Sequence, residues 1–161
     1  MTEPSPAHVR IATLFCVLHD GVIARVERVG TSLTLTVHIG YLAERIVPGA
    51  RDLRVTLRGV RDLRYLPWAD PGEAQRPAVD ADEVLSGEVD VLEGEVDVTG
   101  EVIVRILRSG PCASDVGGEL RFSSDDVMIH DERGVAHTVE ELAAVARGYW
   151  EAWAARGSTQ A

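Results

Sequence analysis

Lysine is absent from this chain of 161 residues; all sixteen basic side chains are arginine. That absence excludes a Walker-type phosphate loop and any Schiff-base mechanism, since both need a primary ammonium group. Cysteine is almost as scarce. Cys16 and Cys112 are too few for a disulfide framework, and no catalytic histidine–acid pattern is assigned to either, since His19-Asp20-Gly21 reads as a turn. No apolar run approaches the ~20 residues that cross a bilayer. The opening MTEPSPAHVR has no basic region leading into an apolar one, so no secretory leader is expected. A cytoplasmic location with both cysteines as thiols follows as the expectation. The patterns Gly-x-Ser-x-Gly, His-x-His, His-Glu-x-x-His and Cys-x-x-Cys do not occur. No catalytic residue, metal site or cofactor is assigned from the sequence.

Apolar residues make up 45% of the chain and charged residues 26%, which suits one folded domain rather than a disordered chain. The charge is unevenly placed. Residues 1–68 hold nine arginines against six acids, whereas residues 69–161 hold seven against twenty, for a net charge of −10. A surface of that sign repels nucleic acid and anionic membranes and speeds encounter with basic proteins. The series Arg51, Arg54, Arg58, Arg61 and Arg64 has only Tyr65 and Trp68 nearby to stack bases, so its expected role is pairing with the acidic half of the same chain.

Acids and valines alternate in SGEVDVLEGEVDVTGEVIV (86–104), where Gly-Glu-Val-x-Val occurs three times, from Gly87, Gly94 and Gly100. Side chains alternate faces along a strand. The reading is therefore short strands broken at the glycines, with Val89, Val91, Val96, Val98, Val102, Val104 and Ile106 inward and Glu88, Asp90, Glu95 and Asp97 on a negatively charged outer plane. Asp82, Glu83 and Glu93 extend its rim. Asp80-Ala81-Asp82-Glu83 invites a calcium loop, but Leu85 and Val91 stand where that loop needs glycine and glutamate.

Elsewhere, residues 1–8 read as a loose tail and Ile11–Leu18 as one buried strand. A strand pair flanks the turn at Gly30-Thr31-Ser32, with Leu33, Leu35, Val37 and Ile39 on one face. Residues 41–50 read as a helical turn or loop, 51–58 and 61–67 as further strands, and 69–80 as a long loop. Thr138 and Glu141 form a capping box. Val139, Leu142, Val145, Tyr149, Trp150 and Trp153 recur at helical spacing, which predicts an amphipathic helix over about 139–156, with 158–161 as a tail. Gly148 in that helix suggests close packing. The predicted fold is mainly β (α+β): an antiparallel sheet or small sandwich spanning 9–157 and closed by one C-terminal helix. Outward-facing acids oppose edge-to-edge stacking, so a monomer or modest dimer is expected.

Residues 18–68, LHDGVIARVERVGTSLTLTVHIGYLAERIVPGARDLRVTLRGVRDLRYLPW, carry an His-Asp-Gly turn, a strand pair, a Tyr-Leu segment and a Val-x-Leu-x-Gly-Val strand. This third of the chain resembles a class of small uncharacterised bacterial proteins, some of them similar to immunity proteins that neutralise a toxin by binding it. The resemblance implies a binding role and transfers no catalytic residue.

Two functional expectations result. The first is a non-enzymatic module that engages a basic protein surface through Glu88, Asp90, Glu95 and Asp97. The second is a small-ligand carrier or enzyme with a pocket between sheet and C-terminal helix, lined by His38, Trp68, His130, Tyr149, Trp150 and Trp153. The plainer expectation for those aromatics is that they fill the core.

Overall fold

The computed structural model describes residues 3–108 and 117–158. Cys112 lies outside them. The chain runs α1 (Pro6–Val17), β1 (Val22–Val29), β2 (Ser32–His38), α2 (Gly40–Ile46), β3 (Asp52–Arg58), β4 (Arg61–Pro67), α3 (Ala81–Leu85), β5 (Val89–Val96), β6 (Val102–Arg108), β7 (Gly117–Ser123), β8 (Asp126–His130), β9 (Ala136–His137) and α4 (Val139–Ser158). All nine strands join one antiparallel sheet in the order β4-β7-β6-β5-β1-β2-β3-β8-β9. The fold is therefore α+β, the predicted class, and of the two predicted arrangements it takes the single sheet rather than the sandwich. No helix among the described residues is long and apolar enough to cross a membrane.

Two short links force the sheet to roll. Arg58 ends β3 and Arg61 opens β4, yet the strands are six places apart in the sheet. Ser123 and Asp126 link β7 and β8 in the same way. Six strand spacings on a flat sheet span ~29 Å, whereas three peptide steps reach at most ~11 Å. The two ends of the sheet must therefore curl toward each other. They meet at Arg58, whose carbonyl accepts from the Asp125 N–H at 2.8 Å and from the Ser124 hydroxyl at 2.7 Å.

The segment Ile11–Leu18, expected as a strand, lies in helix α1 and the residue that caps it. A continuous apolar run does not distinguish a buried strand from a buried helix. Here Pro6 at the start of the helix sets the first turn. Ile11, Leu14, Phe15 and Leu18 then recur at helical spacing on the buried face, with Thr13 and Cys16 exposed. Residues 6–8, expected in a loose tail, belong to this helix. His8 ties it down: its Nδ1–H donates to the Gly100 carbonyl at 2.6 Å, and its Nε2 accepts the Ser124 N–H at 3.2 Å. Helix α1 packs mainly on β5 and β6 and reaches across the opening of the roll to β8.

Strand β5 runs through Gly94 rather than breaking there. Its register slips between Val91 and Glu93, a bulge at Leu92. The extra residue reverses which parity faces inward, so Val89 and Val91 before it and Gly94 after it all meet the core. The His19-Asp20-Gly21 turn holds the bulge. The Asp20 N–H donates to the Val91 carbonyl at 3.0 Å, Val91 N–H to the Gly21 carbonyl at 2.8 Å, and His19 Nδ1 meets the Leu92 carbonyl at 2.6 Å. Val98, expected inward, sits in the β5–β6 turn and is 84% exposed.

Helix α4 begins where the capping box predicts. Thr138 N–H donates to Glu141 Oε2 at 2.8 Å, and Glu141 N–H to Thr138 Oγ1 at 3.1 Å. It packs on α1 and α2 rather than on the sheet, because α1 already covers the sheet there.

Two glycine substitutions test this packing with opposite signs. A Cβ at Gly94 would lie 2.5 Å from the Ala12 carbonyl oxygen and 2.8 Å from Phe15 Cβ, whereas one at Gly148 meets nothing within 4 Å. The close packing expected at Gly148 is absent. Urea unfolding should show Gly94→Ala destabilised by about 1–3 kcal/mol through overpacking, and Gly148→Ala stabilised by about 1 kcal/mol through helix propensity.

Candidate functional site

The outer face of β5, β6, β7 and β4 carries three of the acids singled out in the sequence, Glu93, Glu95 and Asp97, and the fold pairs each of them. Arg105 on β6 lies beside Glu93 and Glu95 on β5. Its guanidinium bonds Glu93, meets Glu95 at 2.7 Å and approaches Glu119 at 3.6 Å. Arg121 holds Glu119 at 2.8 Å and Asp97 at 3.3 Å. Arg64 grips both oxygens of Glu101, at 2.5 and 2.8 Å. Five carboxylates thus enclose three guanidiniums, leaving a residual negative charge on a lattice of alternating sign.

Asp97 is committed further. One of its oxygens accepts the Thr99 hydroxyl at 2.6 Å, the Thr99 N–H at 2.8 Å and the Glu101 N–H at 3.0 Å. Those bonds, the Thr99 hydroxyl first, hold its carboxyl below the usual range. Asp97 therefore organises the turn between β5 and β6. Asp82 pairs with Arg28 at 2.9 Å, and Asp80 caps the short helix α3 through the Asp82 N–H at 2.9 Å. Glu83 and Glu88 are exposed, and Asp90 is half-buried on β5 opposite Val22. The single acidic plane expected over Glu88–Asp97 is thus split. The bulge and the turn at Asp97 break its phase, and arginines from the neighbouring strands interleave with it. Of the arginine series, Arg61 pairs with Asp125 at 2.8 Å and Arg64 with Glu101.

The expected pocket residues do not converge. His38, at the end of β2, pairs with Asp52 at 3.0 Å. His130 lies on the outer face of β8 opposite Arg54. Trp68 follows the last residue of β4 and packs against Gly117. The space between sheet and C-terminal helix is filled by α1.

Tyr149, Trp150 and Trp153 do come together, on α4, and Tyr41 from α2 joins them. Ring centroids lie 4.6 Å apart for Tyr41–Tyr149, 5.1 Å for Tyr149–Trp150, 5.6 Å for Tyr41–Trp150 and 6.1 Å for Trp150–Trp153. Arg45 of α2 stands 5.0 Å over the Tyr149 ring. This is not core: Trp150 is 41% exposed and Trp153 60%. Val139, Leu142 and Ala146 are the buried residues of α4, and beyond Ala146 only Tyr149 is even half-buried. The outer half of the helix thus carries an uncovered aromatic ridge. Burial pushes the Tyr41 hydroxyl above its ordinary value, aided by the charge of Asp20 and opposed by a hydrogen bond from Trp150.

A groove of about 410 Å³ adjoins the ridge. It is lined by the aromatic rings of Tyr41 and Trp150, by Cys16, Val17, Leu92 and Ala146, and by Glu93 and His19. Tyr41 and the bulge at Leu92 carry no signal in the sequence. The crowding of Tyr149, Trp150 and Trp153 beyond what one buried helix face needs was the available hint.

A second concavity, of about 470 Å³, lies over β3 and the 131–134 turn, and its acids are committed to the fold. Glu132 accepts the Arg51 and Asp52 N–H groups at 2.7 and 2.9 Å. Buried Asp131 accepts from His137 at 2.9 Å, from the Arg133 N–H at 2.9 Å and from the Val135 N–H at 3.0 Å. Among the described residues, no three His, Cys, Asp or Glu side chains gather as a metal site. Against family models, curated proteins and solved structures alike, the chain finds no match.

The Asp131 bonds, His137 foremost, pull its carboxyl down to about 2. A depressed carboxyl stabilises the fold above the unfolded-state value of about 4, and that contribution disappears as pH falls through the folded value. Asp131→Asn should therefore melt below the wild type at neutral pH. The gap between the two melting curves should close between about pH 4 and pH 2.

Proposed function

We propose that this chain is a non-enzymatic binding module for a basic protein, and that the aromatic ridge of α4 is the centre of its contact face. The observation that carries the reading is the exposure of Trp150 and Trp153 on the outer half of α4, where Tyr149 and Trp150 touch Tyr41 but no described residue of the helix beyond Ala146 is buried. Exposed large apolar patches mark contact surfaces, whereas single exposed apolar residues do not. Tryptophan and tyrosine are also the side chains that most often dominate binding energy. The net charge of −10 favours a partner of opposite sign, mainly through association rate and selectivity. The acids first expected to form the contact become its electrostatic surroundings, with Glu83 and Glu88 the exposed members that have no ion pair among the described residues. One form of this proposal is an immunity-type inhibitor, cytoplasmic and a monomer or modest dimer.

The test is capture from native-host lysate, with bound proteins and small molecules identified by mass spectrometry. Wild-type protein should retain a protein of high isoelectric point. Trp150→Ala/Trp153→Ala should weaken that complex at least about tenfold, as hot-spot truncation does, while the protein stays folded, its melting temperature lowered only modestly by the lost contacts of Trp150 with Tyr41 and Tyr149. Raising salt from about 0.05 to 0.5 M should slow association. Equal affinity for the double variant overturns the reading. Retention of a small molecule in place of a protein favours a ligand carrier instead.

A further inference from the structure

We propose that the groove between α1, α4 and the Leu92 bulge receives one cationic side chain of the partner, an arginine in preference to a lysine. This rests on the protein-binding reading above and adds the chemistry of its anchor.

Three features converge on a cation. The first is the pair of aromatic rings lining it, Tyr41 and Trp150, whose faces attract a guanidinium electrostatically. The same cluster already holds one within the chain, Arg45 over Tyr149 at 5.0 Å. The second is carboxylate placement. Arg105 holds Glu93 through Oε1, which leaves Oε2 without a partner among the described residues, and Glu93 lines the groove. Asp20, in the left-handed turn at φ 65°, lies near enough to act on the Tyr41 hydroxyl and engages His19 through one oxygen at 3.3 Å. The third is the apolar lining. Val17, Leu92 and Ala146 offer an apolar bed for the methylene stem of a long basic side chain.

Arginine fits better than lysine because its planar group stacks on a ring while donating to a carboxylate at the edge. A second copy of this chain is a poor occupant, since two molecules of net charge −10 repel. A purely apolar side chain would leave the Glu93 oxygen unused.

The probes are the N-acetyl methylamides of arginine, lysine and leucine, each titrated to about 50 mM at fixed ionic strength to hold screening constant. Resonances of the intact protein are followed by NMR. Arginine should shift the Trp150 indole and the Leu92 and Glu93 amides, lysine less so and leucine least. Glu93→Gln and Trp150→Leu should each weaken arginine binding about two- to fivefold. Arg64 and Arg121, which do not touch Glu93, should not respond. No shift at Trp150, an equal response to leucine, or an unchanged response in Glu93→Gln overturns the anchor.

The same two variants in the capture assay separate this idea from the broader one. Capture that needs the tryptophans but ignores Glu93 removes the anchor and leaves the module. Arginine binding without any captured protein removes the module and leaves the site.

Discussion

The missing side chain at Gly94 is the constraint on which the rest of the architecture depends. The backbone of α1 can approach β5 there only because nothing projects between them, with the Ala12 carbonyl and Phe15 Cβ occupying the space a methyl would need. The Cys16 thiol, donating to the Gly94 carbonyl at 3.0 Å, marks the same closeness. That contact seats α1 across the mouth of the rolled sheet. Helix α4 then rests on α1 and α2, and the ridge of Tyr149, Trp150 and Trp153 stands where α4 runs past its support. Sequence leads to function here through one glycine, one helix and one overhang.

The acidic segment shows how charge can be spent on order without being erased. Individual surface ion pairs contribute little, about 0–1 kcal/mol. Arg105 among Glu93, Glu95 and Glu119, and Arg121 among Glu119 and Asp97, nevertheless relieve the repulsion that a row of bare carboxylates on neighbouring strands would create. The arginines also spread their stems over the outer face. Ile103, on that face between Glu95 and Arg121, is only 3% exposed. Choosing arginine throughout suits such a lattice, because each planar fork can reach two acids at once.

The parts of this fold legible in the sequence are those governed by local rules. The hairpin around Gly30 follows from period-two alternation and a turn residue at positive φ. The start of α4 follows from Thr138 and Glu141, whose reciprocal bonds form as the spacing requires. The rest was hidden for physical reasons. The apolar run at 11–18 suits a buried strand as well as a buried helix, and the deciding residue, Pro6, lies upstream of it. The bulge at Leu92 depends on a turn some seventy residues earlier in the chain. The candidate site was half visible: Tyr149, Trp150 and Trp153 stood out by spacing, but their exposure depends on where α1 and α2 stop supporting α4. Tyr41 joins them purely through tertiary packing.

The rolled sheet also bears on how the chain reaches its native state. One half, β4-β7-β6-β5, draws on residues 61–67, 89–108 and 117–123, while the other, β1-β2-β3-β8-β9, draws on 22–58 and 126–137. Neither is a continuous segment, and the crossings at Gly59-Val60 and Ser124-Asp125 interleave them. Such a molecule has no autonomous fragment to assemble first. Its closure entropy must be overcome before distant strands reward it, which gives slow folding of high contact order. Severing the 69–80 loop would leave two pieces that each lack strands of both halves, so recovery of structure would require them to associate.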